Sequence, residues 1–210
     1  IAGSVDIFVH VQPPTSEEVG SLKKGSIVVS TLSARTNAPA VASLTSAGAT
    51  VVAMELVPRI ARAQRMDVLS SQASIAGYKA ALLAANSLGK YLPMMMTAAG
   101  TIPPAKILVL GAGVAGLQAI ATARRLGAVV EAFDVRAAAG EQVESLGAKF
   151  IQPPAAEDAE GAGGYARAQT EDEQAAQREF LKGHIADADA VITTAAIPGR
   201  PAPLLMTEDM

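Results

Sequence analysis

The 210-residue chain is half apolar and 18% charged, with a formal net charge of −3 and an aromatic share of only 3%. Its core must be aliphatic, and its scattered Lys and Arg argue against a nucleic-acid surface, which needs clustered positive charge. With no cysteine and two distant histidines, His10 and His184, disulfides, thiolate nucleophiles and Cys-ligated zinc are excluded, and no metal site is expected.

The chain opens on Ile1 and stops at Met210; it reads as a fragment truncated at both ends, the cut removing earlier strands. Residues 5–11 (VDIFVHV) read as a buried strand stopped by Pro13 and Pro14. Residues 15–22 then form a short helix capped by Thr15 or Ser16, with Glu17 and Glu18 favouring the helix dipole. Strands over 26–32 and 50–54 flank a helix over 39–47, and this alternation predicts a parallel sheet. Residues 56–67 (LVPRIARAQRMD) break the rhythm as a loop at a strand's C-terminal end, where open sheets bind ligands. A long helix over 71–88, with Ile75, Leu82 and Leu83 on one face, joins this unit to the next.

The second unit starts after Pro104 with a continuous apolar strand, 106–110 (KILVL), a turn over 111–116 (GAGVAG) and a helix over 114–126. Further strands follow at 129–133, 149–151 and 190–194, with helices over 141–146 and 171–185. Residues 152–169 are too long and too rich in Pro, Ala and Gly for an ordinary connection, and read as a flap or linker. The expected architecture is α/β: two Rossmann-like parallel-sheet units joined by a long helix, residues 1–69 and 70–210. No apolar run approaches the roughly 18 residues of a membrane span, and no signal peptide is visible.

GxGxxG alone is a weak signal in a chain this rich in Gly and Ala. Its position between an apolar strand and a helix makes it specific. Gly111 permits the tight turn, Gly113 lets backbone approach a pyrophosphate, and Gly116 lets helix pack on strand. Asp134, closing the next strand, would accept hydrogen bonds from adenosine ribose hydroxyls and repel a 2′-phosphate, which favours NAD(H) over NADP(H). Arg136, two residues on, could offset that repulsion, but Asp134 at the strand tip weighs more, and Arg136 is read as projecting to solvent or to the adenine face. The polar loop carrying Arg59, Arg62, Gln64, Arg65, Asp67 and Ser70 is either a binding loop or a solvated connector. Met94, Met95 and Met96 read as core filler, Thr193 and Thr194 as strand residues, and His10 as a strand residue with a satisfied hydrogen bond.

Three runs carry a more specific likeness: PRIARAQRMDVLSSQASIAGYKA, PMMMTAAGTIPPAKILVLGAGVAGLQAIATARRLGAVVEAFDVRAA and VITTAAIPGRPAP. Through them nearly the whole chain resembles the NAD(H)-binding component, domain I or alpha subunit, of proton-translocating nicotinamide nucleotide transhydrogenase. That resemblance implies hydride transfer from NADH to NADP⁺ on a partner NADP(H)-binding domain, coupled to proton passage through a membrane component. It also implies a homodimer of paired Rossmann-like units with the nucleotide held between them, docked at the membrane on the bacterial cytoplasmic side or in the mitochondrial matrix. Arg59, Asp67 and Ser70 match the residues holding the nicotinamide end, with Ile60 and Ala61 in the same contact loop. Gln64 matches the residue reaching toward the partner nucleotide, so Arg59, Gln64 and Asp67 are the implied catalytic set. Val114 belongs to the phosphate turn, and Asp134, Val135 and Arg136 match the adenosine-ribose group. Gly163, Gly164, Tyr165 and Ala166 resemble the family's mobile loop, which folds over bound nucleotide, and Gln177 and Ala196 fall at further contact positions. Ala196 stands where the family commonly has Leu, and the flanks of the loop differ.

Alanine dehydrogenase shares the two-unit plan, but oxidising an amino acid needs a general acid/base and a cation for the carboxylate. That family supplies Lys and His; the corresponding places here are read as His10 and Thr31. Hydride passage between two nicotinamides needs only close, oriented rings in a dry site. A non-catalytic NAD-sensing module is the other alternative, against which the intact Arg59, Gln64 and Asp67 loop counts.

Overall fold

The computed structural model describes residues 2–153, 159, 166–196 and 201–210. The chain divides into two compact units, Ile1–Ser71 and Gln72–Met210.

In the first unit, β1 (Ile7–Val9), β2 (Ile27–Ser30) and β3 (Thr50–Ala53) form a parallel sheet in that order. The crossovers are α1 (Ser16–Ser21), opened by a Thr15–Glu18 capping box, and α2 (Ala38–Ser46), capped by the Asn37 side chain. Phe8, Val28 and Val51 lie side by side in register and share one apolar cluster with Val19, Leu22, Leu44 and Ala47. The opposite face carries Ile7 and Val9, which are 57% and 72% exposed. The buried strand expected over residues 5–11 is therefore a three-residue edge strand with one covered face, because among the described residues β1 pairs with β2 alone and the cluster lies on the Phe8 side. The expected loop over 56–67 is tightened into 3-10 turns at Met54–Leu56 and Ala61–Met66.

Helix α3 (Val68–Ser87) begins in the first unit and continues into the second. Its buried residues are Gly77 and Ala81, whereas Ile75 and Leu83 are 59% and 53% exposed. The apolar face expected from the large residues is corrected, for a steric reason. A Cβ on Gly77 would stand 1.9 Å from the Ala115 carbonyl oxygen, so backbone approaches too closely there for anything but glycine. A short antiparallel hairpin follows, β4 (Met95–Thr97) and β5 (Gly100–Ile102). It carries Met94, Met95 and Met96 outward at 60%, 37% and 80% exposure, so these are not core filler.

The main sheet is parallel, in the order β8 (Lys149–Ile151), β7 (Val129–Phe133), β6 (Lys106–Leu110), β9 (Ala190–Thr193). On one side of β6, Ile107 and Val109 pack with Ile120, Ala123 and Val143 from α4 (Val114–Arg125) and α5 (Ala139–Ser145). On the other, Leu108 and Leu110 pack with Leu181 and Ile185 of α6 (Glu171–Asp187). Burial on both faces is why β6 reads as an unbroken apolar run. Helix α4 buries Gly116, Ala119, Ile120 and Ala123, an i, i+3, i+4, i+7 stripe. The chain leaves β6 toward β7 and β8, then returns to add β9 on the opposite side, so the strand order reverses between β6 and β9. In open parallel sheets that reversal opens a crevice at the strands' C-terminal ends, where ligands bind.

Candidate functional site

The 111–116 turn occupies that crevice, and its three glycines answer to different constraints. Gly111 has φ +100°, in the left-handed region, and a Cβ there would meet the Ala195 nitrogen at 2.8 Å. At Gly116 a Cβ would meet the Gly111 carbonyl oxygen at 1.8 Å, so helix and strand pack backbone to backbone. Gly113 has φ −79°, open to any residue, and among the described residues nothing lies within 4 Å of where a Cβ would stand. No contact among the described residues demands glycine at Gly113, and its backbone is left bare. Gly113 is also the N-cap of α4 and offers no side chain to the first-turn amides, and no acidic residue stands in that turn. Val114, the first helical residue, is 41% exposed. An uncapped helix start beside an open glycine is a site for an anion, phosphate above all.

Asp134 directly follows β7 and is 7% exposed. Its carboxylate accepts from Ala112 N at 2.7 Å, Arg136 N at 2.9 Å, Arg136 Nε at 2.8 Å and Arg136 Nη2 at 2.9 Å. Arg136 Nη2 also donates to the Ala112 carbonyl at 3.3 Å. Burial alone would push the carboxyl pKa up, but the bonds from Arg136 and Ala112 outweigh it and hold the group below its ordinary value. Asp134 is ionised and ties β7 to the glycine turn. The expectation that Arg136 projects to solvent is corrected: two residues on, the backbone has turned enough for a bidentate fork onto Asp134. Val135 lies half-buried against the α6-side cluster.

Thr194, read in sequence as a plain strand residue, braces the turn. Its Oγ1 donates to the Gly111 carbonyl at 2.8 Å, and its amide donates to Leu110 O at 2.8 Å. The signal that could have found it is its place directly after β9, beside the strand-order reversal. Ala196 is exposed at the same exit, where Thr193, Thr194, Ala195, Ala196, Ala202, Pro203, Leu205 and Met206 line a cleft of about 420 Å³. Gln177 projects from α6 at 6% exposure, and its Oε1 has no hydrogen-bond partner among the described residues. A buried amide oxygen left so is costly and marks a place for a donor. Gly164 and Tyr165, with Gly163, lie outside the described residues.

In the first unit a second set of polar groups assembles. Asp67 accepts from Ser70 N at 2.9 Å, Ser70 Oγ at 2.7 Å and Arg59 Nε at 3.4 Å, and Arg59 Nη2 donates to Ser70 Oγ at 2.8 Å. The Ser70 bonds, with Arg59 adding its charge, hold the Asp67 carboxyl below its ordinary pKa. Asp67 thus caps the start of α3 and fixes the Arg59 guanidinium. Gln64 lies within the 3-10 turn, exposed, with no side-chain hydrogen bond among the described residues. Ile60 is 55% exposed just before it, and Ala61 is exposed as well. Arg59, Asp67 and Ser70 are brought together; Gln64, Ile60 and Ala61 stand apart as outward-facing groups. No cluster of three or more His, Cys, Asp or Glu able to hold a metal occurs among the described residues.

Comparison with known proteins bears on both sets of groups. The family profile described as "Alanine dehydrogenase/PNT, N-terminal domain" matches residues 1–76, and that described as "Alanine dehydrogenase/PNT, C-terminal domain" matches residues 80–210. An NAD(P) transhydrogenase subunit alpha polypeptide of Rhodospirillum rubrum is 53% identical over 98% of this chain and 55% of its own length. The solved transhydrogenase from Sinorhizobium meliloti superposes with a TM-score of 0.85 at 50% identity, covering 99% of this chain and 55% of that one. The alanine dehydrogenase of Mycobacterium tuberculosis is 28% identical over 98% of this chain and 50% of its own length. The chain thus spans about half the length of the curated relatives it matches. With both of the family's domains represented along it, the chain belongs to the alanine dehydrogenase/PNT family.

Proposed function

We propose that this chain is the NAD(H)-binding part of a transhydrogenase. In this reading it presents NADH for hydride transfer to NADP⁺ on a partner NADP(H)-binding domain, coupled to proton translocation by a membrane component. The observation that carries the proposal is the pairing of an open Gly113 with an uncapped α4 start and an ionised Asp134 at the strand-order reversal. The choice within the family follows identity: 53% to a transhydrogenase alpha subunit against 28% to an alanine dehydrogenase.

The groups present fit a dinucleotide. Gly113 leaves room for a pyrophosphate, the first amides of α4 would hold it, and Asp134 would hold the adenosine ribose, with Val135 and Arg136 flanking that position. Arg59, Asp67 and Ser70, with Ile60 and Ala61 beside them, are assigned the nicotinamide end; Gln64 is assigned the contact toward the partner nucleotide; Gln177 and Ala196 are assigned further contacts, with Gly164 and Tyr165 in the covering loop. NADH, when bound, supplies the hydride, and the chain's part is to orient and to exclude water, since no proton moves at the reacting carbons. The Asp67 carboxylate serves by fixing Arg59, not as a base, because its pKa is lowered by bonds it already makes.

No helix among the described residues is long and apolar enough to cross a membrane. The proposed setting is a homodimer docked to the membrane component on the cytoplasmic or matrix side. The test is reconstitution of the intact protein with an NADP(H)-binding partner domain, following hydride transfer from NADH to an NADP⁺ analogue. Turnover is expected only with both proteins present. Turnover of alanine with NAD⁺, or NADH binding without any transfer, would overturn the reading.

A further inference from the structure

A carboxylate offers about four acceptor positions. Those of Asp134 are met by Ala112 N, Arg136 N, Arg136 Nε and Arg136 Nη2, all at 2.7–2.9 Å. The two backbone donors belong to the glycine turn and to the strand exit, and are fixed by the fold. The two side-chain donors sit on a rotatable arm whose side chain is 19% exposed. A ribose diol arriving at Asp134 needs two acceptor positions, and the only ones that can be vacated without moving backbone are those held by the guanidinium.

We propose that Arg136 is a built-in competitor for the adenosine ribose, a latch that must leave Asp134 before the two hydroxyls can reach it. The inference rests on the NAD(H) reading above. The latch keeps a nearly buried carboxylate paired, since an uncompensated buried charge is strongly destabilising. The hold on the phosphate turn comes from Asp134 itself, which accepts from Ala112 N at 2.7 Å and keeps that bond when the latch leaves. Affinity for the nucleotide is set lower than Asp134 alone would set it, in proportion to the fraction of molecules with the latch closed. The released guanidinium stays tethered beside the ribose, so it offsets part of the repulsion that Asp134 exerts on a 2′-phosphate. Arg136 therefore narrows discrimination between the two nucleotides, from both sides.

The test uses Arg136→Met in the intact protein, with affinities for NADH, NADPH and reduced nicotinamide mononucleotide measured by calorimetry. Removing the latch should tighten NADH about fivefold, the gain if about four in five molecules hold the latch closed. NADPH should weaken by a similar factor, and the mononucleotide, which has no adenosine, should not change. A merely structural Arg136 would move all three in the same direction, and a direct Arg136–nucleotide contact would weaken NADH; either result overturns the proposal, as does no change. Should the variant fold poorly, Arg136→Lys keeps the charge while losing the fork, and should fall between parent and Met variant. A second readout needs no substitution: the Arg136 side-chain ¹⁵Nε–¹H resonance should shift on saturation with NADH and stay put with the mononucleotide. An unmoved resonance under NADH ends the latch. If the unsubstituted protein fails to bind NADH at all, the nucleotide assignment itself falls, an outcome distinct from the failure of the latch.

Discussion

Gly113 and Gly116 differ by three positions in one turn, yet substitution should separate them cleanly. In Gly116→Ala the new Cβ would stand 1.8 Å from the Gly111 carbonyl oxygen, 2.8 Å from its carbon and 2.9 Å from Thr194 Oγ1. Two of these are backbone atoms of a turn already pinned by Thr194 and Ala112, so the strain cannot be relieved by a side-chain rotation. Overpacking of this kind costs about 1–3 kcal/mol, which for a chain of this size lowers the thermal midpoint by roughly 2–12 °C. In Gly113→Ala the Cβ meets nothing within 4 Å among the described residues and φ is −79°, so they put no strain on the folded state. Restricting the unfolded chain should even stabilise the protein, by about 0.4–1 kcal/mol. The methyl would instead stand where a pyrophosphate needs bare backbone, and NADH affinity should fall by on the order of tenfold, the effect of one lost charge-assisted hydrogen bond. Thermal unfolding without ligand and NADH calorimetry on both variants read the two effects separately. A Gly113→Ala protein that melts as low as Gly116→Ala, or binds NADH like the parent, would refute the reasoning.

Asp134→Asn should weaken NADH and narrow the NADH/NADPH affinity gap; equal affinity for both nucleotides in the parent would already defeat the ribose assignment. Gln64→Asn withdraws an amide that makes no bond among the described residues, so NADH affinity should hold while transfer with the partner domain drops roughly a hundredfold, the cost of about 1 Å of misplacement; stopped-flow turnover near the parent's would remove Gln64 from the reaction. Glu173 is held down to about 2 from an ordinary 4.5, first by Arg167 and next by the Thr170 amide of the α6 capping box. A lowered carboxyl pKa gives stability that is complete above 4.5 and lost as pH falls through about 2, so the thermal midpoint should drop less steeply with acid in Glu173→Gln than in the parent.

The parts of the fold legible in the sequence are those where one physical requirement dominates. Strand β6 is buried on both faces, so its run KILVL carries no polar interruption, and Gly111 and Gly127, both at positive φ, punctuate the elements around it. The hairpin β4–β5 was hidden because three methionines in a row look like core, although a two-residue turn leads into Gly100, with φ +125°, at the start of the second of two three-residue strands. The face of α3 misled for the opposite reason: where helix backbones approach within contact of each other, as at Gly77 and Ala115, the smallest residues are buried and the largest are left outside. Arg136 could not be placed from sequence, because its pairing depends on a bend after β7 that spacing alone does not encode.

The placement of Asp134 joins local folding to the proposed binding in a single group. A carboxylate at 7% exposure is tolerated only when paired and bonded, and here the bonds that offset that desolvation also draw Ala112, and so the start of the phosphate turn, toward the end of β7. Thr194 draws the same turn toward β9 through the Gly111 carbonyl. The loop is therefore held from both neighbouring strands by side chains that follow them directly. Such support fixes the backbone amides before any ligand arrives, which lowers the ordering cost of binding. It also explains why the residue free to vary sterically, Gly113, sits at the middle of the turn, where the support from either side leaves the surface open.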